Sequence, residues 1–248
     1  MPRYFLELTY RGTAYSGFQV QDNAETVQSE VEKALQTFFR EPFSLTGSSR
    51  TDAGVHANQN FFHFDTEHQL MSRHIYNLNA ILPADIAIRG LYAVSDMAHC
   101  RFDAVAREYR YFIYQQKNPF LADRGWLYPY PLNQAALDLG AALIQEYRDF
   151  TSFSKRNTQV NNYNCSIEKA GWYWENGVLV FEVKANRFLR GMVRGLVGTI
   201  LKMGRGQLDE AAFRAIIEAK DCSLADFSTP PQGLFLHRVY YKDALQPL

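Results

Sequence analysis

The 248-residue chain is poor in features that would tie it to a membrane, a metal or an oxidising compartment. It has no run of about 18 or more apolar residues, so no membrane-spanning helix is expected. The start, Met1-Pro2-Arg3-Tyr4, lacks the apolar stretch of a secretion signal. Cys100, Cys165 and Cys222 are far apart and form no Cys-x-x-Cys pair, which speaks against a disulfide scaffold and a structural zinc site. Reduced thiols and a cytoplasmic location are the corresponding expectation. The six histidines show no His-x-x-x-His spacing, so no metal is expected. Net charge is absent too: 26 Lys and Arg balance 26 Asp and Glu. Composition therefore gives no sign of nucleic-acid binding, and such a function would need cations gathered on one face.

What is present is an ordinary globular core. Hydrophobic residues make up 47% and aromatics 15%, enough for one large domain or two fused ones. Alternation predicts a strand over 3–10. A helix follows, with Thr26 as N-cap, Val27, Val31, Leu35 and Phe38 at helical spacing, and Pro42 as its end. Strands are expected at 43–50 and 58–65, a helix at 71–80 closed by Leu82-Pro83, and a strand at 85–95. The order then repeats. A strand is expected at 105–116, and a helix at 132–147 with Leu132, Ala136, Leu139, Leu143 and Tyr147 as its buried stripe. Strands at 162–174 and 178–185 join through Glu175-Asn176-Gly177, followed by helices at 188–204 and 209–219 and a strand at 234–242. Two β-α-β-β-α-β runs imply an α+β fold of two tandem ferredoxin-like halves, 1–104 and 105–248. Their sheets would merge into one extended, mainly antiparallel sheet, with helices on one side and an RNA-binding cleft on the other.

Three stretches carry chemistry. In Thr46-Gly47-Ser48-Ser49-Arg50-Thr51-Asp52-Ala53-Gly54-Val55-His56-Ala57, the glycines permit tight bends and the hydroxyls can bond the local backbone. By default such a segment is only a turn. Arg50 and Asp52 lie two apart, on one face if the segment is extended. A carboxylate kept ionised by cations can serve as nucleophile or base. Arg50 has two readings, a salt bridge across the turn or an RNA contact. In the strand 106–114, Tyr109 and Tyr111 share one face while Glu108, Arg110 and Phe112 share the other. Tyrosines there are good β formers, yet Tyr109 could also stack on a base. In the expected helix after Asn186, Arg187, Arg190 and Arg194 fall at i, i+3 and i+7, and 184–205 holds six cations and no acid. A solvated basic face and a phosphate-binding face both fit.

The sequence Arg-Thr-Asp-Ala-Gly-Val-His-Ala at 50–57 resembles the active-site motif of the TruA family of tRNA pseudouridine synthases. Ala-Arg-x-Tyr-x-Tyr at 106–111 and Phe-Leu-Arg-Gly-Met-Val-Arg-Gly-Leu-Val-Gly at 188–198 resemble two more of its motifs. Asp149-Phe150-Thr151-Ser152-Phe153 and Pro230-Pro231-Gln232-Gly233-Leu234 also read like family segments. The resemblance implies isomerisation of uridine to pseudouridine in the anticodon stem-loop of tRNA (positions 38, 39 and 40). It makes Asp52 the nucleophile, Tyr109 the contact to the target uracil, Arg194 the partner of the catalytic Asp and Arg50 an RNA contact. Arg187 and Arg190 would then be left for phosphates, and the loop at Lys155-Arg156 would touch RNA. It implies a homodimer working on tRNA without cofactor or metal. Arg11, Phe18 and Ser48-Ser49 depart from the family wording. His56 reads as a hydrogen-bonded structural residue. A non-catalytic RNA-binding module is disfavoured because binding needs no poised carboxylate, and a nucleoside hydrolase because no second carboxylate accompanies Asp52.

Overall fold

The computed structural model describes residues 1–156, 160 and 162–248. The described chain forms two compact units, residues 1–105 with 235–248 and residues 106–234. Among the described residues the elements are nine strands and five α-helices, a mixed α+β composition in which antiparallel pairing predominates.

The first unit is built on β1 (Arg3–Tyr10), which pairs antiparallel with β3 (His56–Asp65) and with β4 (Ile86–Val94). On its other edge β3 pairs antiparallel with the two-residue β2 (Thr46–Gly47) and parallel with β9 (Leu234–Tyr241) through His56↔Phe235 and Ala57↔Leu236. The strand expected at 43–50 is thus cut to two residues. Leu6 and Leu8 on β1 are fully buried, as are Phe61 and Phe62 on β3. Phe5 and Phe61 both meet Tyr241 of β9, with ring centroids 5.5 and 5.2 Å away. α1 (Val27–Phe39) begins where Thr26 and Ser29 cap one another reciprocally, and it buries Val27, Val31, Ala34 and Leu35. It stops before Pro42, at Arg40 in the left-handed conformation. α2 (Arg73–Ile81) precedes β4, and the Asn79 side chain bonds both backbone groups of Ile88.

In the second unit β5 (Ala104–Tyr114) pairs antiparallel with β8 (Val178–Ala185), and β8 with β7 (Ile167–Glu175). Asn176 and Gly177, both at positive φ, make the hairpin turn. The two-residue β6 (Trp126–Leu127) lies parallel to β5. α3 (Gln134–Leu143) is shorter than expected and turned: it buries Leu137, Gly140, Ala141 and Leu143, while Leu139 is exposed. The reason is α4 (Met192–Gly204), whose Ile200 and Met203 press on Gly140; a Cβ there would sit 2.9 Å from Ile200. The glycine, with no side chain to signal burial, marks the buried face. α4 is enclosed nearly all round; of its thirteen residues only Arg194 and Lys202 escape full burial. α5 (Glu210–Glu218) is capped by Asp209. No helix among the described residues is long and apolar enough to cross a membrane.

Candidate active site

Asp52 sits in the link between β2 and β3, which is irregular from Ser48 to Val55. Arg50 and Asp52 are therefore not placed by strand alternation, and no ion pair joins them; Arg50 is exposed and Asp52 half-buried. The backbone around Asp52 is held from several sides. Val55 N–H donates to Asp52 O at 3.1 Å, and Phe18 N–H to Thr51 O at 3.1 Å. The Thr51 hydroxyl shares a 2.8 Å hydrogen bond with that of Tyr10. Asn60 Nδ2 donates to Ser49 O at 2.8 Å. Gly54, at φ +77°, completes the turn, and Gly17, at φ +109°, packs directly on Thr51 and Ala53. Gly12 lies so close that a Cβ would stand 2.0 Å from Val55 O.

His56 is fully buried, accepts from Gly12 N–H on Nδ1 at 3.0 Å and packs on Phe235 at 4.5 Å between ring centroids. It is a structural pin of the turn. Ser48 and Ser49 do not fix the turn through their hydroxyls as expected, since both Oγ atoms are buried without a partner. The Ser48 backbone does so instead, its N–H donating to Phe61 O at 2.8 Å. Phe18 is core, stacked on Phe62 at 4.6 Å. Within its unit, the Asp52 carboxylate has no hydrogen bond or ion pair among the described residues.

In the second unit, β5 keeps the expected facing. Glu108 and Arg110 lie on one side, where Arg110 pairs with Glu108 at 3.4 Å and with Glu182 at 2.9 Å. Tyr109 and Tyr111 lie on the other. Tyr109 is 8% exposed and meets Phe188 edge-on at 4.9 Å. Tyr111 is fully buried and donates its hydroxyl to Pro230 O at 2.7 Å. Burial raises the Tyr111 hydroxyl above the ordinary tyrosine range, partly opposed by the nearby Arg194 charge. Tyr111 is therefore a neutral donor.

The Arg-rich helix starts later than the spacing suggests. Gly191 takes the left-handed conformation, at φ +74°, and α4 begins only at Met192. Arg187 and Arg190 therefore precede the helix and share no helical face with Arg194. Arg187 donates to Asn162 Oδ1 at 3.2 Å. Arg190 is exposed, and its carbonyl accepts from Lys155 N–H at 3.0 Å. The Lys155 side chain runs along Gly191, whose added Cβ would lie 3.0 Å from Lys155 Cγ. Arg156 reaches Asp221 at 3.9 Å. Arg194 donates Nε–H to Thr229 O at 2.6 Å.

Two groups here lie outside the three chemistry-bearing sequence stretches or their expected roles. Arg107 donates to Asn186 O at 3.3 Å, next to Arg187. The signal was available, because the alternation that pairs Tyr109 with Tyr111 puts Arg107 on their face. Thr229 had no such signal, being far from Arg194 in sequence.

Among the described residues, only His63, His99 and Cys100 bring three metal-type ligand atoms together, within 4.8 Å of one another. These groups already serve the protein. His63 Nδ1 lies 3.2 Å from Cys100 Sγ, the thiol donates to Thr46 O at 3.1 Å, and His99 Nδ1 accepts from Arg101 N–H at 3.2 Å. Burial pushes the His63 imidazole down to about 4, so it is neutral near pH 7.

The chain is similar to known proteins along most of its length. A family model described as tRNA pseudouridine synthase matches residues 8–103 and 147–242. A Parabacteroides distasonis protein named tRNA pseudouridine synthase A is 43% identical over 250 residues, covering 100% of this chain and 99% of its own. A Porphyromonas gingivalis protein of the same name is 42% identical over 99% of both chains. A Staphylococcus aureus protein of that name is 34% identical over 96% of this chain and 91% of its own.

Proposed function

Because the chain belongs to the tRNA pseudouridine synthase family, we propose that it isomerises uridine to pseudouridine in tRNA with Asp52 as the nucleophile. The reaction breaks the N1–C1′ bond, turns the uracil over and joins C5 to C1′; N1 gains a proton and C5 loses one. A carboxylate suits it because it can offset positive character at the sugar, or add covalently and later leave. The observation that carries the reading is the half-buried Asp52 carboxylate, unpartnered within its unit on a backbone fixed from several directions. Such a group keeps its lone pairs available while its position is set by the turn.

In the same proposal Tyr109 contacts the target uracil, its ring steadied by Phe188. Arg194 supplies the cation that keeps the nucleophile charged and aimed. Arg50, exposed beside Asp52, helps hold the target nucleotide out of its stack, which otherwise costs a few kcal/mol. Arg187, Arg190, Lys155 and Arg156 contact the RNA backbone; the backbone bond of Lys155 to Arg190 supports treating these two as one patch. The uridines are those of the anticodon stem-loop, and the enzyme is a cytoplasmic homodimer without cofactor or metal. Residues 1–104 and 105–248 are the two repeats of a tandem ferredoxin-like sequence order, the first carrying Asp52 and the second Tyr109 and Arg194, with the last strand of the second repeat completing the compact unit of the first.

The test is incubation with unmodified tRNA and mapping of pseudouridine, with Asp52→Ala in parallel. Wild type is expected to convert and Asp52→Ala to bind without converting. Conversion by Asp52→Ala at the wild-type rate would remove Asp52 from the mechanism. Binding without conversion by wild type would identify a binding module, and release of free uracil a hydrolase.

A further inference from the structure

We infer that Thr229 is a positioning residue for Arg194, holding its guanidinium by the Nε edge so that both Nη atoms stay open to an anion. The inference rests on the reading of Arg194 as the cation at the reacting carboxylate. Two hydrogen bonds run in opposite directions between the two residues. Arg194 Nε–H donates to Thr229 O at 2.6 Å, and Thr229 Oγ1 donates to Arg194 O at 2.9 Å. Thr229 is fully buried. Within its unit the Arg194 side chain has no further hydrogen bond or ion pair among the described residues. The side-on edge of the guanidinium, Nε with its neighbouring Nη, is closed to bidentate pairing. Only the end-on pair of Nη atoms is left, which fits a carboxylate or a phosphate oxygen pair.

The carbonyl that performs this is itself held. Residues 226–230 form a strap lying on α4. Asp226 N–H donates to Thr199 Oγ1 at 3.0 Å, and the Asp226 carboxylate pairs with Lys202 at 3.2 Å. The helix face beneath is glycine because nothing larger fits. A Cβ on Gly198 would stand 2.4 Å from Asp226 O and 2.7 Å from Thr229 Oγ1, and one on Gly195 would stand 2.8 Å from the Phe227 ring. At the far end Tyr111 donates to Pro230 O, and Pro230 restricts Thr229 to extended backbone. The Thr229 hydroxyl closes the strap onto the helix at the residue whose guanidinium its carbonyl receives. Removing the hydroxyl frees the strap there without touching any Nη atom.

The test compares single-turnover pseudouridine formation and tRNA affinity for wild type, Thr229→Val, Thr229→Ser, Arg194→Ala and the double variant Thr229→Val/Arg194→Ala. Thr229→Val is expected to slow the reaction about tenfold with tRNA affinity within about twofold, as loss of aim rather than of binding does. Thr229→Ser is expected to stay within about threefold of wild type. In the Arg194→Ala background Thr229→Val should slow nothing further, since a residue acting only through Arg194 has nothing left to position. A full-rate Thr229→Val beside a dead Arg194→Ala overturns the positioning role alone, and so does equal slowing in both backgrounds. A full-rate Arg194→Ala overturns the underlying reading of Arg194 instead. Should Thr229→Val not fold, hydrogen exchange at the Arg194 Nε–H of wild type decides. Exchange at least about tenfold slower than at exposed Arg190 is expected, and equal exchange overturns the clasp.

Discussion

Around Asp52 the hydrogen bonds hold the turn and spare the charged side chain, whereas at Arg194 one of them holds the charged side chain itself. The turn of the first unit is fixed through Thr51, Asn60, Phe18 and Val55, and the carboxylate it carries is bound by none of them. In the second unit a buried threonine grips the guanidinium by one nitrogen. The difference follows from side-chain length. An aspartate has two rotatable bonds, so locating its backbone nearly locates its oxygens. An arginine has several more and must be tethered near its tip if its charge is to be aimed.

If this contrast holds, the second unit is broken most severely by changing the side chain. Arg194→Lys keeps the charge but loses the Nε donor to Thr229, and is expected to lower the single-turnover rate about 10²-fold; a rate near wild type would show that charge alone is enough. The first unit is broken by changing backbone that carries no chemistry. Gly12→Ala drives a Cβ into Val55 O, and should cost about 1–3 kcal/mol in denaturant unfolding and slow catalysis with it. An unshifted midpoint would mean the turn yields freely. Tyr111→Phe leaves the buried Pro230 carbonyl without its donor, for an expected loss of about 1–2 kcal/mol and a modest fall in rate. The smallest effect is expected at Arg190→Ala: tRNA affinity falls a few-fold and the slope of log affinity against log salt shrinks by about 1. An unchanged slope would count against a phosphate contact.

Local physics made much of this molecule readable from its residues. The Thr26 cap, the Asn176-Gly177 turn and the alternation of β5 are decided by neighbours a few positions away, and all stand where the spacing puts them. What the sequence hid is set by distant contacts. The buried side of α3 is chosen by Ile200 and Met203, through a glycine that hydropathy cannot register. The late start of α4 depends on Gly191 adopting a left-handed conformation against Lys155. Asp52 and Tyr109 could be picked out because they sit in distinctive local wording. Thr229, thirty-five positions after Arg194, had no such neighbourhood.

The last strand has a consequence for how the chain is made. β9 supplies β3 with a parallel partner, Tyr241 donates to Cys100 O, and the N–H of Leu248 reaches Leu91 O. The first unit is therefore discontinuous, assembled from residues 1–105 and 235–248, while the second is an uninterrupted segment. During synthesis the segment 106–234 can close as soon as it emerges, but the portion bearing Asp52 must wait, one β3 edge still open, until residues 235–241 have followed it.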